Sequence, residues 1–244
     1  MLWNKKNILV LISAYNEEKY LLKCLDSVEE ALKNHKWKMI FCNDGSEDNT
    51  LAIAKECSRK SSADEWIIKT FPKSKNVAQA KNRTLRLGKK YSKDYPAICF
   101  MDADDKMGPK RVTKLLKALV SENQLFAFGD YVLVHENGDT QTVRAKKIYP
   151  TLRFGIWATL FHESLIDKEE NFFREDFDKY SDLIKWWELK YINKINFLIC
   201  KGFTTNFYYR GHSCINKGDT VDALKKLQEE KKRICAKENC GEDS

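Results

Sequence analysis

From residue 8 onward, short continuous apolar runs alternate with longer segments whose apolar residues recur every three or four positions. Ile8-Leu9-Val10-Leu11-Ile12 is apolar throughout, the pattern of a strand covered on both faces. After a polar loop at 13–18, Leu21, Leu25, Val28 and Leu32 mark one face of a helix over 19–32. The run 37–42 predicts a second strand. It ends in Asn43-Asp44-Gly45-Ser46-Glu47-Asp48-Asn49-Thr50, a polar turn with the side chains of a helix start. A helix through Leu51, Ala54 and Cys57, a short strand at 66–68 and a loop at 72–76 follow. The next helix is basic, with Val77, Ala80, Thr84, Leu85 and Leu87 inward and Lys81, Arg83 and Arg86 among its charged positions. Ile98-Cys99-Phe100-Met101 predicts the fourth strand. Pro109 suits the first turn of a helix whose inner face is Val112, Leu115, Leu116 and Leu119.

Strand alternating with helix argues for an α/β fold: a mostly parallel, Rossmann-like sheet with helices on both faces. The pattern changes after about residue 123. Residues 126–134 predict a strand, Glu136-Asn137-Gly138-Asp139 a hairpin turn, and 142–145 a return strand. The stretch 150–165 reads as irregular and aromatic, 181–192 as a helix containing Trp186 and Trp187, and 197–200 as another strand. Trp157, Trp186 and Trp187 are candidate apolar platforms for a ligand, with at least one of the adjacent pair in the core. One domain over 1–218 is expected, in two halves (1–122 and a small mixed C-terminal lobe, 123–218), with a charged helical tail over 219–244.

Composition narrows the class. The chain has 244 residues, 43% of them hydrophobic, enough for a full core. No apolar run reaches the length of a membrane span, and the first apolar run is too short for a signal peptide, so cytosolic residence is expected. The eight cysteines include no Cys-x-x-Cys pair and read as reduced thiols. The net charge of +8 is spread along the chain with acidic residues interleaved, which argues against a nucleic-acid partner and suits anionic substrates or peripheral contact with an anionic membrane.

The candidate chemistry lies where the strands end. Asp102, Asp104 and Asp105 place three carboxylates within four positions just after the apolar run, a costly gathering of like charge unless a cation joins them. Magnesium or manganese held by one or two carboxylates and substrate phosphates fits, and a helix N-cap is the competing reading. Asp44 either accepts hydrogen bonds from a nucleobase or ribose, or shapes an Asx-turn before Gly45. In such sheets ligands bind beyond the carboxyl ends of the strands, and three polar loops, at 15–18, 43–46 and 102–105, converge there. No Gly-x-x-x-x-Gly-Lys, Gly-x-Gly-x-x-Gly or Gly-x-Ser-x-Gly occurs, which disfavours P-loop, dinucleotide-dehydrogenase and serine-hydrolase chemistry.

Leu11-Ile12-Ser13-Ala14-Tyr15-Asn16-Glu17-Glu18, Asn43-Asp44-Gly45-Ser46, Ala80-Lys81-Asn82-Arg83 and Phe100-Met101-Asp102-Ala103-Asp104-Asp105, in that order, resemble the family 2 glycosyltransferases with the GT-A fold. The resemblance implies transfer of a sugar from a nucleotide-diphosphate donor to a glycan, lipid-linked or other hydroxyl acceptor, inverting, with Mn2+ or Mg2+. It implies that Ala14, Tyr15 and Glu17 line the nucleotide, that Asp44 contacts the base, and that Lys81 stands where an arginine usually meets the diphosphate. Asp102 and Asp104 would be the metal-binding pair, and Asp105 would neighbour the donor sugar. Departures are Ser13 for a proline, Asn43 for an aspartate, and the lack of a glycine after Asn76. In the second half, Tyr180-Ser181-Asp182 resembles the segment that carries the catalytic base, so Asp182 is the expected base, with Glu175, Asp176 and Asp178 as rivals. Phe207-Tyr208-Tyr209-Arg210-Gly211-His212 resembles a late segment that would bring Arg210 to phosphate and His212 to the metal or diphosphate. A nucleotidyltransferase and a non-catalytic nucleotide-sugar or nucleic-acid binder are the alternatives.

Overall fold

The first strand, β1 (Ile8–Ala14), sets the centre of the molecule: Ile8, Leu9, Val10, Leu11 and Ile12 are all fully inaccessible, so both faces of the strand are covered. The computed structural model describes residues 2–135, 137–144, 155–166, 171–177, 180–208 and 221–236. On one side β1 pairs in parallel with β2 (Trp37–Asn43), and β2 with β3 (Glu65–Thr70). On the other side it pairs in parallel with β4 (Ala97–Phe100). The crossovers run through α1 (Leu21–Leu32), α2 (Thr50–Lys60) and α3 (Val77–Lys89), and α4 (Arg111–Ser121) follows β4. Pro109 lies two positions ahead of α4 rather than in its first turn.

Helix α3 buries Ala80, Thr84 and Leu85 as expected but is turned from the expected orientation. Its buried arc also takes in Ala78, Lys81, Asn82 and Gly88, whereas Val77 is 38% exposed. Small residues at the two ends of that arc explain the choice. A Cβ on Gly88 would lie 2.8 Å from Leu11 and 3.1 Å from Leu9, so the glycine lets the helix sit directly on β1. Seating the helix there turns the Lys81 side chain inward.

The second half continues the same sheet, whose order is β3-β2-β1-β4-β8-β6-β9-β5, with β7 paired to β6. Here β5 is Lys106–Met107, β6 is Phe126–Val134, β7 is Thr140–Val143, β8 is Thr159–His162 and β9 is Phe197–Tyr208. β8 falls in the stretch expected to be irregular. It runs antiparallel between β4 and β6, and its four residues are too few to show a period in sequence. The hairpin turn is present, with Gly138 at φ +87, and the return strand starts two residues earlier than expected. Helix α5 (Ser181–Trp187) passes into a π-helical turn at Glu188–Ile192.

An aromatic cluster joins the two halves. Phe161 of β8 lies near-parallel to Phe100, Phe126 and Phe172, with centroids at 6.4, 5.8 and 5.7 Å, and Trp186 meets Phe126 edge-on at 4.8 Å. Trp186 and Trp187 are both buried, so neither is a platform for a sugar; Phe126, Phe161, Phe172 and Phe173 surround Trp186. The last helix, α6 (Val221–Ala236), packs against α5 and the π-helical turn. Its buried Ile234 and Glu230 face that contact, and Arg174 donates to Glu230 at 2.7 Å. Among the described residues no helix is long and apolar enough to cross a membrane.

Candidate active site

Three loops meet at the carboxyl edge of the parallel strands, and hydrogen bonds stitch the first two together. Asp44 N–H donates to the Ala14 carbonyl at 2.8 Å, Asn16 N–H to Ser46 Oγ at 3.0 Å, and Glu17 N–H to Thr50 Oγ1 at 2.7 Å. Asp48 accepts from the Glu18 and Thr50 amides, at 3.1 and 3.0 Å, and Asn49 donates twice to Glu18. The polar run after β2 therefore reaches across to the 15–18 loop, and Asn49 makes no side-chain cap to α2. Gly45 is obligatory here. Its φ is +78, and a Cβ would stand 2.7 Å from the Lys73 backbone nitrogen. Tyr15 is half-buried, with the Lys73 ammonium 3.9 Å from its ring centroid.

Asp44 is buried and well partnered. It accepts from the Ser74 amide at 3.1 Å, from Ser74 Oγ at 2.6 Å and from Arg83 Nη1 at 3.3 Å. The side-chain hydrogen bond that closes this turn comes from Asn43 instead, whose Oδ1 accepts from Ser46 N–H, three residues on, at 3.3 Å. Arg83 also donates to the Pro72 carbonyl and to Ser74 Oγ, at 2.6 and 2.9 Å, so Asp44 fastens the loop ahead of α3 to the β2 edge.

The acidic loop leaves β4 next to β1: Met101 N–H donates to the Leu11 carbonyl at 3.0 Å. Asp102 and Asp104 are half-buried, and Asp105 is 1% exposed, inside the turn closed by its own amide on the Asp102 carbonyl. The loop is strongly negative. Burial, then the charges of Asp105, Asp104 and Asp102, hold the Cys24 thiol well above its usual pKa. Lys81 Nζ faces Asp102 Oδ1 at 3.2 Å. Burial opposes the Lys81 charge, but Asp102, Asp182 and Asp105 outweigh it and hold the ammonium above its ordinary pKa. Lys81 thus lies within the field of both the acidic loop and Asp182, residues far apart in the chain.

Asp182 sits in the first turn of α5, and its Oδ2 accepts from the Ile156 amide at 3.1 Å. Two of its rivals, Asp176 and Glu175, make other hydrogen bonds. Asp176 takes both Nε and Nη2 of Arg174, at 2.9 and 2.5 Å. Glu175 accepts from Asn82 at 2.9 Å and from Gln79 at 3.3 Å. Asp178 lies outside the described residues, as do Arg210 and His212. Asn82 is the residue whose part was not foreseen. It is buried, it exchanges hydrogen bonds with Phe173 (2.8 and 2.9 Å), and it orients Glu175. Its signal was an amide on the inward arc of a helix, where only a polar partner would keep it.

The donor set of the acidic loop is all oxygen, which suits magnesium or manganese and not a soft metal. Among the described residues no group of three or more His, Cys, Asp or Glu side chains is arranged to hold an ion alone. Two carboxylates completed by diphosphate oxygens is a set that magnesium accepts, and the excess negative charge of the loop fits a cation there.

A parallel sheet that gathers nucleotide-type loops and an acidic strand end at one edge, extended by an antiparallel insertion, defines a GT-A fold. The pattern of glycosyl transferase family 2 matches residues 9–181, and the chain belongs to that family. GlyA, a glycosyltransferase of Streptococcus pneumoniae, is 32% identical over 131 residues, 53% of this chain and 17% of that protein. The Escherichia coli enzyme WfgD, a UDP-Glc:alpha-D-GlcNAc-diphosphoundecaprenol beta-1,3-glucosyltransferase, is 24% identical over 215 residues, 85% of this chain and 78% of that one. The structure of S. aureus TarS 1-349 in complex with UDP-GlcNAc superposes with a TM-score of 0.71 at 15% identity, over 95% of this chain and 67% of that one. With an uncharacterised protein of Methanocaldococcus jannaschii, GlyA and the putative Bacillus subtilis glycosyltransferase EpsE, the matches span 51%, 17% and 48% of those proteins' own lengths.

Proposed function

We propose that this protein transfers a glycosyl group from a nucleoside-diphosphate sugar to an acceptor hydroxyl, with inversion and with Mg2+ or Mn2+. The observation that carries this reading is Lys81: one buried ammonium pairs with Asp102 and lies in the field of Asp182, so the diphosphate-handling loop and the base segment address a single crevice. Family membership and the UDP-GlcNAc held by TarS support a uridine-diphosphate sugar as the first donor to test. The name of WfgD makes a lipid-linked acceptor the first acceptor to test.

In this reading Ala14, Tyr15 and Glu17 line the nucleotide, and Tyr15 offers a ring face once Lys73 swings aside. Asp44, kept in place by Ser74 and Arg83, reads the base. Asp102 and Asp104 would hold the divalent ion, with His212 as a further ligand; the ion would neutralise the leaving diphosphate. Lys81 and Arg210 bind diphosphate oxygens, and Asp105 lies beside the donor sugar. Asp182 accepts the acceptor's proton as its oxygen attacks the anomeric carbon. The new C–O bond forms as the anomeric C–O bond to phosphate breaks, and the electron pair leaves on the diphosphate. The Ile156 amide fixes the Asp182 rotamer and leaves lone pairs for that proton.

The test is a panel of UDP-sugars with a lipid-linked or glycan acceptor, read by mass spectrometry. Nucleoside diphosphate and a glycosylated acceptor are expected. Release of pyrophosphate would reassign the protein as a nucleotidyltransferase. In the same assay Asp104→Ala should lower turnover at least about a hundredfold and abolish the metal requirement for donor binding. Unchanged turnover sinks the metal assignment.

A further inference from the structure

Arg111 opens α4 and is 0% exposed, yet among the described residues no carboxylate pairs with it. Its partners are the Phe100 carbonyl at 3.1 Å, the Thr159 carbonyl at 2.8 Å and the Met101 sulfur at 3.3 Å. Its Nε–H has no hydrogen-bond partner. Burial pushes the guanidinium below its ordinary pKa, with Cys99, Asp102 and Asp105 opposing. A fully buried charge held only by neutral acceptors is costly, and an apolar side chain of similar volume would serve the core as well or better. The two carbonyls show what the cost maintains. Phe100 is the last residue of β4, two positions before Asp102. Thr159 is the first residue of β8, and its Oγ1 donates to the Ile156 carbonyl at 2.7 Å. The amide of that same Ile156 holds Asp182.

We infer that Arg111 is a positioning residue: its Nη2 ties the root of the acidic loop to the turn that orients Asp182, fixing the leaving-group side and the base side of the crevice relative to each other. The inference rests on the transferase reading for its consequence, though not for the bridge itself. Both carbonyls accept from Nη2, so one planar amino group spans the two strands, and a lysine ammonium would end one bond short of it. Lys81 lies in the crevice within the field of both acids, and Arg111 joins the two strands behind them.

The test compares wild type, Arg111→Met and Arg111→Lys. In Arg111→Met, amide exchange should quicken at both 100–105 and 156–160, with β1 and β2 unchanged and the melting temperature at or above wild type. Exchange that changes only within α4, or nowhere, overturns the bridge. With a UDP-sugar donor, kcat should fall about tenfold to a hundredfold while donor KM stays within about threefold, the signature of lost alignment rather than lost binding. Arg111→Lys should recover part of kcat and still show faster exchange at one of the two segments. A kcat loss that merely tracks a lowered melting temperature in both variants overturns the positioning role. Should Arg111→Met fail to fold, Arg111→Lys decides alone: wild-type exchange and wild-type kcat in it overturn the inference. A wild type that releases no nucleoside diphosphate would sink the function reading, and the exchange data would still decide the bridge.

Discussion

Helix α3 sends two cations, two positions apart, to two carboxylates at the same sheet edge, and the two ends of the crevice turn out differently. At the β2 end Arg83 meets Asp44, and Ser74 closes the network with its amide and hydroxyl. At the β4 end Lys81 meets Asp102 in one 3.2 Å contact, with Asp182 and Asp105 also bearing on it. The first end is a finished polar network that fixes a loop. The second gathers the acidic loop and Asp182 around Lys81, and in the proposed reading it takes up a phosphate-bound ion. An Asp at a strand end therefore takes its part from what its neighbours supply: Ser74 and Arg83 hold Asp44 fixed where the proposed reading has it meet the base, and Asp102 has the single Lys81 contact beside the proposed diphosphate.

The largest effect expected from this contrast is at Asp182. Asp182→Asn keeps the shape and the Ile156 contact but cannot take a proton, so transfer should fall by about 10²–10⁴ while UDP affinity stays near wild type. Steady-state rates beside calorimetric UDP binding measure both, and a wild-type rate moves the base elsewhere. Next comes Lys81→Met, which leaves Asp102 and Asp182 without their shared cation. UDP affinity should drop about tenfold or more, and Lys81→Arg should restore most of it. If Lys81→Met binds UDP as wild type does, the open end is not the phosphate end.

Asp44→Ala probes the finished network. It orphans the buried Ser74 amide and hydroxyl and should cost about 1–3 kcal/mol in urea unfolding. Asp104→Ala, at the open end, should cost less than Asp44→Ala in the same experiment. The reverse order would break the comparison.

The parallel half was legible because its signals are local. Ile8–Ala14, Trp37–Asn43 and Ala97–Phe100 are buried on both faces and read as apolar runs, and the loops between them carry recognisable polar sets. The second half depends on partners distant in sequence. β8 is a strand only because β4 and β6 flank it, and Trp186 is core only because Phe126, Phe161 and Phe172 surround it. The same limit hid the rotation of α3. Val77 looks apolar enough to face inward, but Gly88 and Ala78 set the contact, and they bring Lys81 and Asn82 in with them. Arg111 was passed over because a basic residue opening a helix gives no sign of a buried bridge between two strands.

The smallest effect lies farthest from the crevice, where α6 is fastened by charge. Arg174 donates to Asp176 and, at 2.7 Å, to Glu230, while Lys226 donates to the Asp176 carbonyl. The Arg174 hydrogen bond is the main reason the Asp176 carboxyl sits below its usual pKa. At Glu230 burial pushes the other way, but Arg233 and Arg174 outweigh it and its pKa is also lowered. A carboxylate whose folded pKa is depressed contributes its stability above the unfolded value, near ~4. That contribution is lost as pH falls through the lower folded value, while Arg174 stays charged throughout. The Asp176 side chain is 51% exposed, so solvent screening holds its share well under ~1 kcal/mol. Amide exchange across 221–236 should therefore quicken as pH falls below about 4, before the β1 and β2 amides respond. Arg174→Gln should remove most of that pH dependence and leave α6 loosened at neutral pH. If α6 and the sheet open together at every pH, the last helix is held by Leu227 and Ile234 packing, and the charges around Arg174 add nothing to its docking.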